Sequence, residues 1–116
     1  MSPSYVPDRG DLVWLDFNPH SGKEQAGRRP ALVLSPAPYN RKTGLAIACP
    51  ITSQVKGYPF EVTVKSPGGI TGVVLSDHVK SIDWVARNAK RAGATGAETL
   101  NAVVGRIARL IGVELP

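Results

Sequence analysis

The chain has 116 residues and a mass of 12.3 kDa, which fits one domain over residues 1–116 and excludes a multidomain enzyme. Apolar residues make up 42% of it, enough for a core, and the net charge of +5 with a pI of about 9.7 indicates an anionic partner. The single cysteine, Cys49, excludes an internal disulfide, and no apolar run approaches the roughly 20 residues of a membrane span. We therefore expect a soluble cytoplasmic protein.

The first half of the chain contains short apolar runs that predict β-strands. Residues 11–17 alternate between two faces, and residues 31–35 and 45–49 are continuous apolar runs, typical of strands buried on both faces. The connection over residues 18–30 is polar, basic and rich in glycine, and a connection of that length in a small domain is often functional. A second loop near residues 36–44 would make the two apolar strands a hairpin.

A second predicted hairpin follows. Residues 60–65 alternate cleanly between apolar and polar side chains, and residues 72–76 return after a turn of serine, proline and glycine. Residues 78–83 are a weaker strand candidate, and the segment 84–91 has a helical pattern too short to assign. Five or six short strands in about 75 residues predict an antiparallel barrel or a strongly curled sheet.

The C-terminal segment changes to a helical period. Its apolar face consists of Leu100, Val103, Val104, Ile107, Leu110 and Ile111. Thr95 and Glu98 have the spacing of a capping box at its start, and Gly112 suits its end. We expect an amphipathic helix that covers the barrel or a subunit interface.

The basic residues are concentrated in two segments. Residues 20–60 carry six of them against one acidic residue, and residues 78–91 carry four against one. No run of like charge exceeds two residues, which argues against a disordered basic tail. If the two segments meet in the folded protein, they form a positive patch. Scattered lysines and arginines that only solubilise a small domain would give the same balance.

The sequence gives little support for a metal site or for a glycine-rich phosphate-binding loop. There is no paired-histidine motif, no GxGxxG and no P-loop motif. Asp8, Asp11 and Asp16 could form the carboxylate cluster that two-metal nucleases require, but such residues are more often turn and capping residues. His20 and His78 could act as an acid–base pair. No spacing connects them, and a surface or contact histidine is the more common role for each.

Arginine and hydroxyl side chains offer a different chemistry. Arg28 and Arg29 end the long loop and enter a strand, and Thr52 follows the next strand. Antiparallel pairing through the loop at 36–44 would bring Arg29 and Thr52 together at the opposite end. A guanidinium binds a phosphate through two parallel hydrogen bonds and stays charged at any working pH. Spacing alone favours the plainer roles of a solvated strand entry and a turn residue.

Five segments with a specific residue order say more than any single motif. They are YVPDRGDLVWLDFNP (5–19), KEQAGRRPALVLSPAPYN (23–40), KTG (42–44), PITSQVKGYPFEV (50–62) and LSDHVKSIDW (75–84). Together they resemble the MazF family of toxin endoribonucleases, which is related to the PemK and Kid toxins of bacterial toxin–antitoxin pairs. The resemblance implies a mainly β fold with helices, a small SH3-like barrel of the CcdB/PemK type with a C-terminal amphipathic helix, usually as a homodimer.

The resemblance also implies an activity. Members of this family cleave single-stranded RNA, often mRNA, at short sequence motifs and thereby inhibit translation and growth. They need no metal or cofactor and leave a 2′,3′-cyclic phosphate and a 5′-hydroxyl. A groove that reads base edges needs unpaired bases. The two basic segments would follow the RNA backbone, so binding should weaken with salt.

The catalytic positions of the family are intact in this sequence. Its arginine corresponds to Arg29 and its threonine to Thr52; Glu24 is counted with them, and Glu24 and His20 are both candidates for the general base. The residues expected to contact RNA, from the closing loop and the groove, are Gln25, Arg28, Asn40, Ser53, Gln54, Lys56, Tyr58, His78 and Lys80. Many members carry glutamine where this chain has His78, so the base preference cannot be transferred.

The expected partners follow from the same resemblance. An acidic, partly disordered antitoxin of the MazE type would lie across the groove and fold on binding, and DNA would be contacted only indirectly through that antitoxin. One alternative is a non-catalytic toxin of the same fold that poisons DNA gyrase by protein–protein binding. Another is a plain nucleic-acid-binding barrel, which the aromatic content of 6% makes less attractive because such domains stack bases on aromatic rings.

Overall fold

A computed structural model describes residues 5–17, 27–66 and 69–113 of the chain. The elements are β1 (Asp11–Phe17), β2 (Gly27–Val33), α1 (Ala37–Thr43), β3 (Leu45–Thr52), β4 (Glu61–Lys65), β5 (Thr71–Leu75), β6 (Lys80–Asp83), β7 (Lys90–Ala94) and α2 (Ala97–Leu110), with a 3-10 turn at Ser76–His78. The predicted strands are present, and β2 begins earlier than expected. Gly27–Pro30, which we expected in the long loop, belong to that strand.

One antiparallel sheet, in the order β4-β5-β3-β2-β1-β7, forms a half-barrel. Strand β3 changes neighbour along its length. On one side it pairs with β2; on the other, its residues 45–48 pair with β6, and Ile51 and Thr52 pair with β5. Because one strand serves two partners in succession, the sheet has to curl there, which confirms the predicted mainly β, strongly curled architecture.

The core consists of two apolar clusters on the two faces of the sheet. Strand β1 supplies both, since Leu12 is fully buried beneath α2 with Val103, while Val13 and Leu15 pack on the other side around Trp84. This alternation agrees with the two faces predicted for residues 11–17. Helix α2 therefore covers one face of the sheet, as its apolar stripe predicted.

Helix α1 occupies the segment that we expected to be a loop. It begins after Pro36 and ends at Gly44, whose φ of 73° is left-handed and whose N–H donates to the carbonyl of Asn40 at 2.9 Å. Asn40 is fully buried: its Oδ1 accepts from Ser35 Oγ at 2.6 Å, and its Nδ2 donates to the carbonyl oxygens of Pro7 at 2.8 Å and Ser35 at 2.9 Å. The assignment of Asn40 to the RNA groove does not fit this position, because its polar atoms are engaged inside the domain.

The segment 84–91 is a turn followed by a strand, and not a helix. Asn88 lies in the left-handed region with a φ of 51°, and β7 then pairs with β1. The capping box predicted at the start of the C-terminal helix is not formed. Helix α2 starts after Gly96 without a side-chain cap, while the N–H of Thr95 donates to the carbonyl of Gly10 at 2.8 Å.

The predicted end of α2 at Gly112 is confirmed. Gly112 has a φ of 82°, its N–H donates to the carbonyl of Arg109, and the N–H of Val113 donates to that of Ala108 at 2.7 Å. These two bonds form a Schellman motif, which satisfies carbonyls that the helix would otherwise leave open. No helix of the described ranges is long and apolar enough to cross a bilayer.

Candidate RNA-binding cleft

A cleft of about 600 Å³ opens where β2 begins and β3 ends. In the β2–β3 ladder Ala31 faces Pro50, and continuing that register by two residues brings Arg29 opposite Thr52. Both residues line the cleft. The antiparallel pairing of the two strands, and the position of Arg29 and Thr52 at the end opposite residues 36–44, agree with the prediction.

The hydroxyl of Thr52 has a defined orientation. Its Oγ1 accepts a hydrogen bond from the backbone N–H of Gln54 at 3.1 Å. That bond occupies a lone pair and leaves the hydroxyl hydrogen available to donate. Thr52 is half-buried at the end of β3, so this donor is held by the strand and still reached from the cleft.

Arg29 lies between two cavities. Besides the main cleft, it lines a second cavity of about 430 Å³, whose lining also includes His78, Lys80 and Arg87. These side chains come from both of the basic segments recognised in the sequence. The two segments thus meet in the folded protein, which is the condition stated for a positive patch. Such a surface favours a polyanionic ligand.

A third cavity, of about 450 Å³, continues the groove along the segment after β3. Its lining includes Thr52, Gln54, Lys56, Tyr58, Phe60, Asp77 and His78. Thr52 lines all three cavities, so they meet at its side chain. Among the expected groove residues that the structure describes, those lining cavities shared with Thr52 are Arg28, Ser53, Gln54, Lys56, Tyr58, His78 and Lys80. The buried Asn40 does not line them.

Some of the expected residues have a different status. Glu24 and Gln25, like His20, lie outside the described residues. Arg28 lines the cleft, but its guanidinium is paired with Asp16.

Glu61 and Asp77 are groove residues that sequence reasoning did not single out. The Glu61 carboxylate accepts from the backbone N–H groups of Lys56 at 3.2 Å and Gly57 at 2.9 Å, so it shapes the segment that carries Tyr58. Asp77 Oδ2 lies 3.9 Å from His78 Nε2. The only sequence signal was that both residues fall inside the quoted segments of the family resemblance.

The three aspartates considered as a metal cluster have separate structural tasks. Asp8 Oδ1 accepts from the N–H of Ala37 at 2.9 Å, and Asp11 Oδ2 accepts from Tyr5 Oη at 2.5 Å. Burial, and then the bond to Asp11, raise the pKa of Tyr5 far above its ordinary value. Asp16 binds Arg28. Among the residues that the structure describes, no three His, Cys, Asp or Glu side chains are grouped so as to hold a metal ion.

Residues 8–111 match the family described as "PemK-like, MazF-like toxin of type II toxin-antitoxin system". This match covers most of the chain. The chain belongs to this toxin family.

Individual relatives agree with the family. The Escherichia coli (strain K12) protein named "Endoribonuclease toxin MazF" is 54% identical over 112 residues, which is 97% of this chain and 100% of that protein. "Endoribonuclease PemK" of Escherichia coli is 34% identical over 90% of this chain and 81% of its own length. Relatives named as endoribonucleases do not favour the gyrase-binding alternative.

Solved structures also match. A chain of the "Crystal structure of MazE-MazF (Form-II) from Deinococcus radiodurans" superposes with a TM-score of 0.89 at 56% identity, covering 94% of this chain and 98% of that one. The "Crystal structure of MazF (Form-I)" from the same organism superposes with a TM-score of 0.84 at 55% identity, covering 95% of this chain and 100% of that one. The half-barrel with its two helices is thus the fold of the family.

Proposed function

We propose that this protein is the toxin of a type II toxin–antitoxin pair and an endoribonuclease that cleaves single-stranded RNA, chiefly mRNA, in the cytoplasm, so that translation and growth stop. The observation that carries the proposal is the cleft that Arg29 and Thr52 both line, within a chain that belongs to the toxin family. Relatives named as endoribonucleases, at up to 54% identity over 97% of the chain, support the same activity.

The chemistry is an internal transesterification. The ribose 2′-hydroxyl loses a proton, its oxygen attacks the adjacent phosphorus, and the bond to the 5′-oxygen breaks. The leaving 5′-oxygen takes up a proton, so the products are a 2′,3′-cyclic phosphate and a 5′-hydroxyl. Negative charge builds on the non-bridging phosphate oxygens during the attack, and preorganised donors aimed at that charge lower the barrier.

Arg29 and Thr52 supply those donors. The guanidinium of Arg29 offers a fixed fork that matches two phosphate oxygens. The hydroxyl of Thr52 donates a further hydrogen bond, because its oxygen already accepts from the N–H of Gln54 at 3.1 Å. Glu24, counted with the catalytic residues, and His20 are the two candidates for the base that takes the proton of the 2′-hydroxyl.

The rest of the groove binds the RNA on both sides of the cut. Lys56 and Lys80 are exposed lysines of the second and third cavities and attract the phosphate backbone. Tyr58 is exposed and offers a face for a stacked base. His78 lies where these two cavities meet, a position from which it can read a base edge.

Two partners complete the proposal. An acidic antitoxin segment of the MazE type occupies the same positive groove and blocks it, and DNA is reached only through that antitoxin. Matching chains from Deinococcus radiodurans come from crystals of MazE-MazF, which supports this pairing. The toxin itself acts as a homodimer.

The decisive experiment is cleavage of a defined single-stranded RNA by the purified protein in EDTA, with both fragment ends sequenced and chemically typed. We expect cuts at a short motif, with cyclic phosphate and 5′-hydroxyl ends. A substrate with a 2′-deoxy sugar at the cut position should resist, because it lacks the internal nucleophile. Strict dependence on added Mg²⁺, or cutting at the deoxy position, would overturn the mechanism.

A further inference from the structure

Arg28, beside the proposed catalytic Arg29, is already engaged within the protein. Its Nη1 is paired with Asp16 Oδ1, and its Nη2 donates to the carbonyl of Trp14 at 3.0 Å and to that of Asn88 at 2.8 Å. The exposed fractions of the paired side chains are 33% for Arg28 and 38% for Asp16. This guanidinium therefore lies at the edge of the cleft with two of its nitrogens bound to three protein oxygens.

Asp16 connects the same contacts to a distant turn. Its carboxylate Oδ2 accepts from Asn88 Nδ2 at 3.1 Å, its N–H donates to the carbonyl of Arg87 at 2.8 Å, and its carbonyl accepts from Arg87 Nη1 at 3.1 Å. The hydrogen bond from Asn88, and then the charge of Arg28, lower the pKa of Asp16, so it is ionised at neutral pH. Asp16, Arg28 and Asn88 form a cluster that we call the clamp.

The clamp joins three chain segments at the mouth of the active cleft. Asp16 faces Arg28 in the β1–β2 ladder, and the next pair is Leu15 with Arg29. The turn that carries Asn88 also carries Arg87, which lines the second cavity together with Arg29. The clamp thus fixes the strand start from which Arg29 projects and the turn that forms an opposite wall.

We propose that Arg28 is a positioning residue for Arg29, and not a ligand of the RNA phosphates. Its positive charge is balanced by Asp16, so the pair adds little to the attraction of a polyanion, and its planar fork serves the clamp. This proposal rests on the proposed function and replaces the role expected for Arg28 from the family resemblance.

The two roles predict different kinetics for Arg28→Ala. A lost phosphate ligand would weaken RNA binding and flatten its salt dependence by a slope of about 0.7 for single-stranded RNA. A lost positioning residue also changes the affinity, because Asp16 is left unbalanced, but in addition it lowers kcat at saturating RNA by roughly tenfold to 100-fold, because a displacement of about 1 Å at the reacting group has that effect. Lys65→Ala, which removes an exposed charge from β4, is the matched control for charge alone.

Asp16→Asn separates the roles most sharply, because it leaves every positive charge in place. If Arg28 positions Arg29, this variant lowers kcat to a similar extent as Arg28→Ala. If Arg28 binds phosphate, this variant leaves kcat at saturating RNA unchanged; RNA binding strengthens in either case, because a negative charge is removed beside the cleft. Arg28→Lys should behave like the alanine variant in kcat, because an ammonium cannot reproduce the fork. Asn88→Gly keeps the left-handed backbone and the carbonyl that Arg28 uses, and should cause a smaller loss.

A second readout does not depend on cleavage. In protein labelled with nitrogen-15 at arginine, the Nε–H signal of Arg29 should shift or broaden in Asp16→Asn and stay as in the wild type in Lys65→Ala. A wild type that cuts no RNA, combined with this change, would contradict the proposed function and leave the clamp standing. A wild type that cuts RNA, with kcat and the Arg29 signal unchanged in Asp16→Asn, would overturn the clamp, as would an unchanged kcat at saturating RNA in Arg28→Ala.

Discussion

Gly72 of β5 lies directly against the main-chain carbonyl of Thr52. A β-carbon at position 72 would be 2.2 Å from the Thr52 oxygen and 2.9 Å from its carbonyl carbon. The φ of Gly72 is +143°, a conformation that side chains other than glycine rarely adopt. Glycine at this position therefore allows β3 and β5 to approach closely just where the proposed catalytic threonine leaves the strand.

Gly72→Ala should displace Thr52 and lower kcat about 100-fold, because the new methyl group meets backbone that has to move. The measurement is single-turnover cleavage, together with thermal unfolding to show that the variant is folded. Gly105→Ala is the control, since no atom lies within 4 Å of the added carbon. That helical substitution should raise stability by up to about 1 kcal/mol and leave cleavage unchanged. Equal activity in both variants would contradict the role of Gly72.

Arg29→Ala and Thr52→Val should each lower kcat by roughly 10²–10³, because each removes a donor to the developing phosphate charge. Both side chains reach the cleft surface, so unfolding temperatures should change little. Arg41→Ala on α1 and Thr63→Val on β4 remove the same chemical groups from exposed positions elsewhere. Full cleavage by either cleft variant would remove its residue from the mechanism.

Ser76 carries the buried side-chain atom without a hydrogen-bond partner among the described residues, and its exposure is 0%. Ser76→Ala should raise the free energy of unfolding by about 1 kcal/mol, since it removes a desolvated hydroxyl that makes no bond. Ser35 is the contrasting site, because its Oγ donates to Asn40 Oδ1 and accepts from the N–H of Ile47 at 2.8 Å. Ser35→Ala should destabilise by about 1–3 kcal/mol. Urea titration gives both values, and a less stable Ser76→Ala would refute the first.

His78→Gln should change which RNA sites are cut more than how fast they are cut. The side chain lies at the junction of the second and third cavities, and glutamine offers a different donor and acceptor pattern to a base edge. Sequencing of fragment ends from a randomised RNA pool measures the preference. Lys80→Gln is the comparison, because losing a charge should reduce affinity for all sites alike. Identical cut patterns for His78→Gln and the wild type would argue against base reading.

The lowered pKa of Asp16 predicts how the free energy of unfolding depends on pH. Its pKa in the folded protein is lowered by the hydrogen bond from Asn88 and by the charge of Arg28. Because the pKa of Asp16 is lower in the folded than in the unfolded protein, where it is about 3.9, ionised Asp16 stabilises the fold at pH values above the unfolded pKa. This stabilisation is lost as the pH falls through the folded pKa. Between neutral pH and pH 3, Asp16→Asn should therefore lose less stability than the wild type. Parallel curves of unfolding free energy against pH would show that the clamp contributes nothing.

The sequence alone predicted the strands whose pattern is local. Residues 11–17 alternate so regularly that the two faces of β1 could be foreseen, and the apolar stripe of residues 100–111 together with Gly112 located α2. Pairing of two neighbouring strands brought Arg29 to Thr52, because an antiparallel hairpin allows few registers. The family resemblance added the chemistry to be expected there.

The elements that were missed depend on distant partners. Seven residues are too few for a helix that is stable alone, and α1 is held by Asn40, whose carbonyl accepts from Trp84 Nε1 at 3.0 Å. The sequence KRAGA has weak strand propensity, yet it forms β7 because the edge of β1 offers backbone groups that need partners.

What the sequence by itself determined was the set of local patterns and the family that their order identifies. Only the tertiary structure decided which polar side chains face the cleft and which are used inside the protein, as for Asn40 within the core and Arg28 within the clamp. The physical reason is that the type of a polar residue determines which hydrogen bonds its side chain can make, while the folded chain determines which partners lie within about 3 Å of that side chain.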